Sequence, residues 1–169
     1  MAVPAQPKHD DGWVLRAGTP DDGPACAALI ASFQRELTDD PDGHGAEGFF
    51  ASVSAEAERG YLASPRYAYL VALGGRGADA ALQGFISIRD RAHLAHLFVA
   101  RAAQGRGLAR HLWTRALADV HAQGGDGALT VNSSLRAVPV YRAFGFVETG
   151  PVARANGISF QPMRRAAGP

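Results

Sequence analysis

The stretch that decides the fold is His93-Leu-Ala-His-Leu-Phe-Val99, followed after four residues by Gln104-Gly-Arg-Gly-Leu-Ala109. The first part is apolar apart from two histidines, which predicts a central strand over Leu94–Val99. The second part opens a longer segment, Gly105–Gln123, in which apolar residues recur at helical spacing. A strand, a short loop and a helix that begins with glycines therefore follow one another directly.

The beginning of this helix predicts a site for a phosphate or pyrophosphate. The first N–H groups of a helix have no intrahelical partners, and the helix dipole adds partial positive charge there. Gly105 and Gly107 lack the Cβ atoms that would hold an anion away from those groups. A Walker loop is excluded because no Gly-Lys-Ser/Thr follows, and Arg110 stands where a dinucleotide fingerprint has its third glycine.

Outward from this segment the chain reads as an α/β (α+β) protein of about seven strands and four helices. The predicted strands are Trp13–Ala17, Tyr67–Leu73, Ala81–Arg89, Leu94–Val99, Ala128–Val131, Phe146–Thr149 and Ile158–Met163. The predicted helices are Ala27–Leu37, Phe49–Arg59 closed by Gly60, Gly105–Gln123 and Leu135–Phe144. The order of elements is then β-α-α-β-β-β-α-β-α-β-β.

Composition limits the class of protein. The 169 residues favour one domain over 12–165, with disordered tails at 1–11 and 166–169. A net charge of +1 does not indicate binding to nucleic acid or to a membrane surface. No apolar stretch reaches membrane-spanning length. The single cysteine, Cys26, excludes an intramolecular disulfide and is expected to be buried, and no ligand spacing indicates a metal site. We therefore expect a cytoplasmic enzyme or binding domain.

Two motifs resemble those of one family. Gln104–Ala109 matches the Gln/Arg-x-x-Gly-x-Gly/Ala signature of the GNAT (GCN5-related N-acetyltransferase) superfamily at every specified position. Downstream, Ala137-Val-Pro-Val-Tyr141-Arg-Ala-Phe-Gly145-Phe146 resembles the family's helix ending in Tyr and the Gly-Phe that starts its next strand. The order of elements from Trp13 to Met163 fits as well. The resemblance implies a mixed, mostly antiparallel twisted sheet whose two central strands splay apart.

The resemblance also implies acetyl-CoA as acyl donor, without a metal, and a set of contacts to it. Its pantetheine arm would lie in the gap between the splayed strands, where one backbone N–H would polarise the thioester carbonyl. The family often has Asn seven residues before the Tyr, and here Ser134 stands there, with Asn132 as a substitute. The implied donor contacts are Leu97, Phe98, Val99, Gln104, Gly105, Arg106, Gly107, Leu108, Ala109, Arg110, Asn132 and Ser134.

Proton transfer is assigned by the same resemblance. Tyr141 would protonate the departing thiolate, although its helical spacing also suits a core tyrosine. Many family members place a carboxylate base six residues before the position of Val99, where this chain has His93. In a regular strand His93 shares a face with Val99 and His96 faces the other side. A bulge would reverse that assignment, so His96 and ordered water remain alternatives.

The leading hypothesis is an N-acetyltransferase that moves the acetyl group directly to a primary amine of a small molecule or peptide, through a ternary complex. The alternative is a non-catalytic acyl-CoA-binding GNAT domain with a sensing or regulatory role, because the carboxylate base is missing and Ser134 replaces Asn. Family members often form homodimers, but no residue indicates one here. The residues expected to form an acidic and aromatic acceptor rim, or a solvated loop, are Asp39, Asp40, Asp42, Glu47, Phe49 and Phe50.

Overall fold

The computed structural model describes residues 12–75 and 77–168, whose regular elements extend from Trp13 to Arg165. The strands are β1 (Trp13–Ala17), β2 (Tyr67–Gly74), β3 (Ala81–Arg89), β4 (His93–Val99), β5 (Leu129–Ser134), β6 (Val147–Glu148), β7 (Ala153–Ala155) and β8 (Ile158–Arg165). The α-helices are α1 (Gly23–Ala31), α2 (Gln34–Leu37), α3 (Glu47–Ser52), α4 (Ala55–Ala63), α5 (Leu108–Ala122) and α6 (Val138–Ala143). Residues 166–168 follow β8 without regular structure, and the tail predicted at 1–11 lies outside the described residues.

The strands form one mixed sheet in the order β1-β2-β3-β4-β5-β8-β6, with β7 paired to β8. Every adjacent pair is antiparallel except β4 and β5, which run parallel. The predicted fold class is therefore confirmed. The eighth strand, β7, was missed because it is only three residues long and is joined to β8 by the turn at Asn156 and Gly157. Both turn residues have positive φ, 52° and 71°, as a tight hairpin turn requires.

The helix boundaries differ from the prediction in the first half of the chain. The helix predicted over Ala27–Leu37 is two pieces, α1 and α2, that break at Ser32 and Phe33. The helix predicted over Phe49–Arg59 is also two, because the Ser54 hydroxyl accepts a hydrogen bond from the Ala57 amide at 3.2 Å and starts α4.

Gly60 does not close a helix as predicted. It lies inside α4, on an exposed face where an added Cβ would meet nothing within 4 Å. Glycine at such a position costs helix stability without breaking the helix.

Two apolar layers cover the two faces of the sheet. One forms beneath α5 and α6, where Trp113 stacks on Phe144 with ring centroids 5.3 Å apart. The other lies beneath α1 and α4 and includes Cys26, Tyr69 and Phe85. Alternate residues of β3 point to the two layers, which explains why residues 84–88 of that strand are all buried. No helix among the described residues combines the length and apolarity needed to cross a membrane.

The centre of the sheet opens as the resemblance implied. The parallel strands β4 and β5 pair only at His93 with Thr130 and at Leu94 with Val131. Beyond that point both strands continue, β4 to Val99 and β5 to Ser134, without pairing to each other. The backbone groups of β4 that face this gap therefore have no partner in β5, and polar backbone groups of this kind need one when they are buried.

Candidate active site

The start of α5 is the first component of the site. Gly107 is the residue that precedes the helix, with φ 85°, and Gly105 has φ 73°. The helix thus begins three residues later than predicted, because the glycines form a left-handed loop rather than a first turn. A Cβ at either glycine would meet no protein atom within 4 Å. The space in front of the first amides of α5 is therefore open, as an anion site needs.

A cavity of about 450 Å³ joins this helix start to the gap between β4 and β5. Nine of the predicted donor contacts line it, together with Tyr141: Leu97, Phe98, Val99, Gln104, Gly105, Gly107, Leu108, Ala109 and Ser134. The Gln104 side-chain amide donates to the Val99 carbonyl at 3.1 Å and so closes the loop between strand and helix. We call this the donor cavity.

Three predicted contacts lie elsewhere. The Arg106 guanidinium lies over the Trp13 ring, 4.8 Å from its centroid, and Arg110 is exposed on the first turn of α5. Neither lines the donor cavity, and Asn132 lines the neighbouring cavity instead. Their roles toward the donor stay predictions.

The donor cavity has two arginines that the sequence did not single out. Arg101 and Arg136 both line it, and Arg101 donates to Glu36 Oε1 at 2.6 Å while its guanidinium lies 4.6 Å from the Phe33 ring centroid. This ion pair lowers the pKa of Glu36 and connects α2 with the loop after β4. No motif marks these arginines, since only the fold brings α2 against that loop.

A second cavity, of about 310 Å³, lies between the same gap and helices α3 and α4. We call it the acceptor cavity. Its lining includes Phe49, Tyr61, Tyr67, Arg89 and Phe160. The residues that line both cavities are Leu37, Leu97, Phe98, Ser134, Ala137 and Tyr141. The two spaces therefore meet in the gap.

Tyr141 lies at this junction. Its side chain is 6% exposed and packs edge-on against Phe144 and Phe146, with centroids 6.5 and 5.7 Å away. Burial raises the pKa of its phenol, so the hydroxyl stays protonated well above neutral pH. Within the described residues this hydroxyl has no hydrogen-bond partner. Tyr141 is thus a core tyrosine by packing that also lines both cavities with its hydroxyl protonated, and its role as an acid stays a prediction.

A bulge decides the orientation of the two histidines. Ser87 pairs with His96 and the next residue of β3, Ile88, pairs with Leu94, so Ala95 is an extra residue in β4. His93 is opposite Arg89, two residues from Ser87, and hence shares a face with His96. His93 and Val99 would share a face only in a regular strand, and the bulge, which is the alternative given above, places them on opposite faces.

Both histidines line the acceptor cavity. His93 Nδ1 lies 2.8 Å from the Thr130 hydroxyl, and His96 Nδ1 lies 3.0 Å from the Ser87 hydroxyl. Burial lowers the pKa of both rings, that of His96 to about 4. Either imidazole is therefore neutral at pH 7 and able to accept a proton.

Glu58 is the titratable group that the sequence did not reveal. It lies on α4, is 0% exposed, and accepts a hydrogen bond from the Tyr69 phenol at 2.8 Å. Its other oxygen, Oε1, has no hydrogen-bond partner and lies 3.8 Å from His96 Nε2. Burial raises the pKa of Glu58 to about 7. In sequence it resembles any helix glutamate, so only the packing of α4 on the sheet identifies it.

Comparison with known proteins agrees with this geometry. The sequence model of the acetyltransferase (GNAT) domain family matches residues 37–167. The chain belongs to the GNAT family. A search of curated protein sequences finds no significant match.

Solved GNAT structures share the fold of this domain at low sequence identity. A GCN5-related N-acetyltransferase from Rhodopseudomonas palustris is 20% identical, with 90% of this chain and 94% of that chain covered and a TM-score of 0.70. PaiA N-acetyltransferase from Thermoplasma acidophilum, in complex with coenzyme A, is 15% identical over 90% and 98% of the two chains, with a TM-score of 0.67. A mutant of the spermidine N-acetyltransferase SpeG from Vibrio cholerae is 18% identical over 92% and 94%, with a TM-score of 0.61.

Of the two alternatives left open for the acidic residues before and at the start of α3, an acceptor rim and a solvated loop, the structure agrees with the solvated loop. Phe49 lines the acceptor cavity, whereas none of the acidic residues at positions 39, 40, 42 and 47 does. Asp40, Asp42 and His44 instead bring their ligand atoms within 4.8 Å of one another in the loop before α3, where Asp42 and His44 are exposed. Exposed acidic groups of this kind are common without a metal, so this cluster carries no assignment.

Cys26 takes no part in the site. It is fully buried in α1, and burial raises the pKa of its thiol to about 12. A thiol with such a pKa is not a nucleophile at neutral pH, so Cys26 is no candidate for a covalent acyl-enzyme.

Proposed function

We propose that this protein transfers the acetyl group of acetyl-CoA directly to a primary amine of a small molecule or peptide, through a ternary complex. One observation carries the proposal: two cavities on either side of the β4–β5 gap meet at Tyr141. A donor and an acceptor bound in them would place their reacting ends together, and proximity of this kind supplies much of the rate enhancement in bimolecular transfers.

The residues present fit coenzyme A. The open space before Gly105 and Gly107, the amides at the start of α5 and the nearby Arg101 and Arg136 suit its phosphates. The backbone of β4 that is not paired with β5 suits its two amides, as an added strand would. Bound acetyl-CoA supplies the activated thioester, and the chain binds and orients it.

The transfer exchanges two protons with the chain's own residues. A bond forms between the amine nitrogen and the acetyl carbon as the carbon–sulfur bond breaks, so the nitrogen loses a proton and the sulfur gains one. The Tyr141 hydroxyl donates at the sulfur end, because it is protonated, buried and, among the residues that the structure describes, without another partner. His93 and His96, on the acceptor face, are the neutral bases available to the amine.

The lining of the acceptor cavity suggests the kind of amine. It is rich in aromatic side chains, and within the described part of the chain Arg89 is its only residue with a full charge at pH 7. An amine on an apolar or aromatic body, with or without a carboxylate, is compatible with this lining. A polyamine is less so, because no Asp or Glu of residues 12–75 and 77–168 lines the cavity to bind its second cation.

A thiol-release assay tests the proposal. Purified protein is mixed with acetyl-CoA and, one at a time, arylalkylamines, aromatic amino acids, spermidine and short peptides, and free coenzyme A is followed with a thiol-reactive dye. Release that requires an amine, with the acetyl mass on that amine by mass spectrometry, supports the transferase. Coenzyme A binding by calorimetry without release on any amine would support the sensing domain instead.

A further inference from the structure

Glu58 places a carboxylate in the core of the protein. Among the described residues its one ion-pair partner is His96, which is a cation only when protonated. Glu58 is 0% exposed, and its Oε1 has no hydrogen-bond partner. Burying an ionisable group that is only half satisfied destabilises a fold. A purely structural role for Glu58 therefore explains the geometry poorly.

Glu58 of α4 forms a cluster with three side chains, one each from β2, β3 and β4. The Tyr69 phenol donates to Glu58 Oε2 at 2.8 Å, and the Ser87 hydroxyl lies 3.0 Å from His96 Nδ1. His96 Nε2 faces Glu58 Oε1 at 3.8 Å. Ser87 thus orients the imidazole through Nδ1, and its other nitrogen points to the carboxylate.

We propose that His96 and Glu58 act as one proton-accepting pair for the acceptor amine, with Glu58 as the positioning residue that allows the buried imidazole to become charged. This inference rests on the acetyltransferase function proposed above. It assigns the base to His96 rather than to His93. It also supplies the carboxylate that β4 lacks, from helix α4.

The proton balance is simple. With Glu58 ionised and His96 neutral, the pair accepts one proton from the amine as the new carbon–nitrogen bond forms. The resulting imidazolium lies beside the carboxylate, which compensates for the loss of hydration that otherwise disfavours a charged ring there. Before the next turnover the pair returns that proton to solvent through the acceptor cavity, which His96 lines.

The described residues that act on the titration of Glu58 and His96 carry no permanent charge. The titratable groups that face Glu58 are Tyr69 from β2, His96 from β4, Cys26 from α1 and Tyr61 from its own helix, and His93 faces His96. Burial raises the pKa of Glu58 to about 7 and lowers that of His96 to about 4. The two titrations are coupled, so near neutral pH the pair gains or loses one proton as a unit, and loss of the carboxylate leaves only the weakly basic ring.

A pH profile with two acceptor amines of different basicity tests the pair. In the wild type we expect kcat/KM to decrease below about pH 7. The decrease caused by protonation of the pair should have the same midpoint with both amines, and we call it the enzyme limb. The decrease caused by protonation of the free amine should shift with the pKa of that amine. Glu58→Gln keeps an oxygen that can accept from the Tyr69 phenol. We expect this variant to reduce kcat roughly tenfold to a hundredfold and to move the midpoint of the enzyme limb below pH 6. Glu58→Asp keeps a carboxylate, so its enzyme limb should remain near neutral pH.

Ile30→Val in the same apolar layer is the matched control for packing, and should leave both the rate and the limb unchanged. If the enzyme limb of Glu58→Gln had the wild-type midpoint, or if Glu58→Gln lost no more activity than Ile30→Val, Glu58 and His96 would not act as a proton-accepting pair.

A second measurement separates failure of the pair from failure of the transferase. Nitrogen-15-labelled histidine is followed by NMR from pH 5 to 9 without any substrate, with the His96 signals assigned from a His96→Asn spectrum. We expect the His96 signals to shift around pH 7 in the wild type and to stay constant over pH 6–8 in Glu58→Gln. Identical titrations in the two proteins would contradict the pair even if thiol release is observed.

Discussion

At the scale of single residues, the burial of Glu58 predicts an unusual dependence of stability on pH. Its pKa is raised by burial, to about 7 from 4.5, so the unfolded state ionises first and the folded state loses stability as pH rises between those values. Glu58→Gln removes this penalty and is expected to stabilise the protein at pH 8 by up to about 3 kcal/mol. Denaturant unfolding of both proteins at pH 5 and pH 8 measures it.

The comparison between the two proteins is needed because His96 acts in the opposite direction. Its folded pKa is lowered to about 4, so it destabilises the fold as pH falls through its unfolded value. The wild-type curve alone would show the two effects partly cancelled. Equal destabilisation by Glu58→Gln at both pH values would mean that Glu58 is a structural residue.

From the position of Tyr141 we expect that loss of its hydroxyl lowers kcat much more than coenzyme A affinity. Tyr141→Phe keeps the ring that packs on Phe144 and Phe146 and removes only the hydroxyl at the junction of the two cavities. We expect kcat to fall roughly a hundredfold, since general acid catalysis is worth that much or more, while coenzyme A affinity changes less than threefold. Stopped-flow thiol release measures kcat, and calorimetry measures coenzyme A affinity. If both fell by the same factor, Tyr141 would not be the proton donor.

At the scale of elements, the loop that begins α5 predicts where coenzyme A binds. Gly107→Val strains a left-handed backbone by about 1–2 kcal/mol and extends a side chain into the open space before the helix. We expect coenzyme A affinity to fall at least tenfold. Gly124→Val is the matched control, because Gly124 also has positive φ and open surroundings but follows the other end of α5.

Both variants are expected to lose similar thermal stability in the absence of ligand, and only Gly107→Val to lose affinity in calorimetric titration. Equal affinity in the two proteins would place the phosphates elsewhere.

The bulge in β4 changes the faces on which its two histidines lie, and the pattern of residues in the strand does not predict it. Alternation along His93–Val99 predicts opposite faces for the two histidines, yet one extra residue at Ala95 brings both to the acceptor side. The bulge lies next to the point where β4 and β5 separate. Bulges are frequent where a sheet must redirect a side chain or end a pairing, and here both happen within a few residues.

At the scale of the whole molecule, the open gap predicts a strong coupling between ligand and stability. The gap leaves part of β4 and β5 unpaired in the middle of the sheet, and coenzyme A would supply the missing contacts. Ligand at 100 times its dissociation constant adds about 2.7 kcal/mol of stability. For a chain of this size that raises Tm by about 5–10 °C.

Differential scanning fluorimetry with coenzyme A measures the change in Tm, and hydrogen exchange is expected to show the added protection in β4 and at the start of α5. Protection confined to the surface far from the gap would contradict the proposed site.

Much of this architecture follows from the sequence because its signals are local. The apolar run of Leu94–Val99, the glycines at 105 and 107 and the periodicity of α5 predict the strand, the anion site and the helix from the chemistry of neighbouring residues. The resemblance added the splayed sheet and the position of Tyr141. Where a local signal competed with another, as at Ser54 inside a run of helix formers, the boundary was misplaced.

The order of the seven predicted strands, the glycine loop that precedes α5 and the family of the chain could all be predicted from the sequence. The missing strand β7, the breaks in two helices, the common face of the two histidines, the position of the acidic loop outside the cavity and the meeting of Glu58 with His96 became visible only in the folded protein. These contacts join residues far apart in the chain, and whether a carboxylate is solvated or buried depends on what packs over it. No local pattern records that, because helix α4 would have the same sequence on the surface of the protein as it has against the sheet.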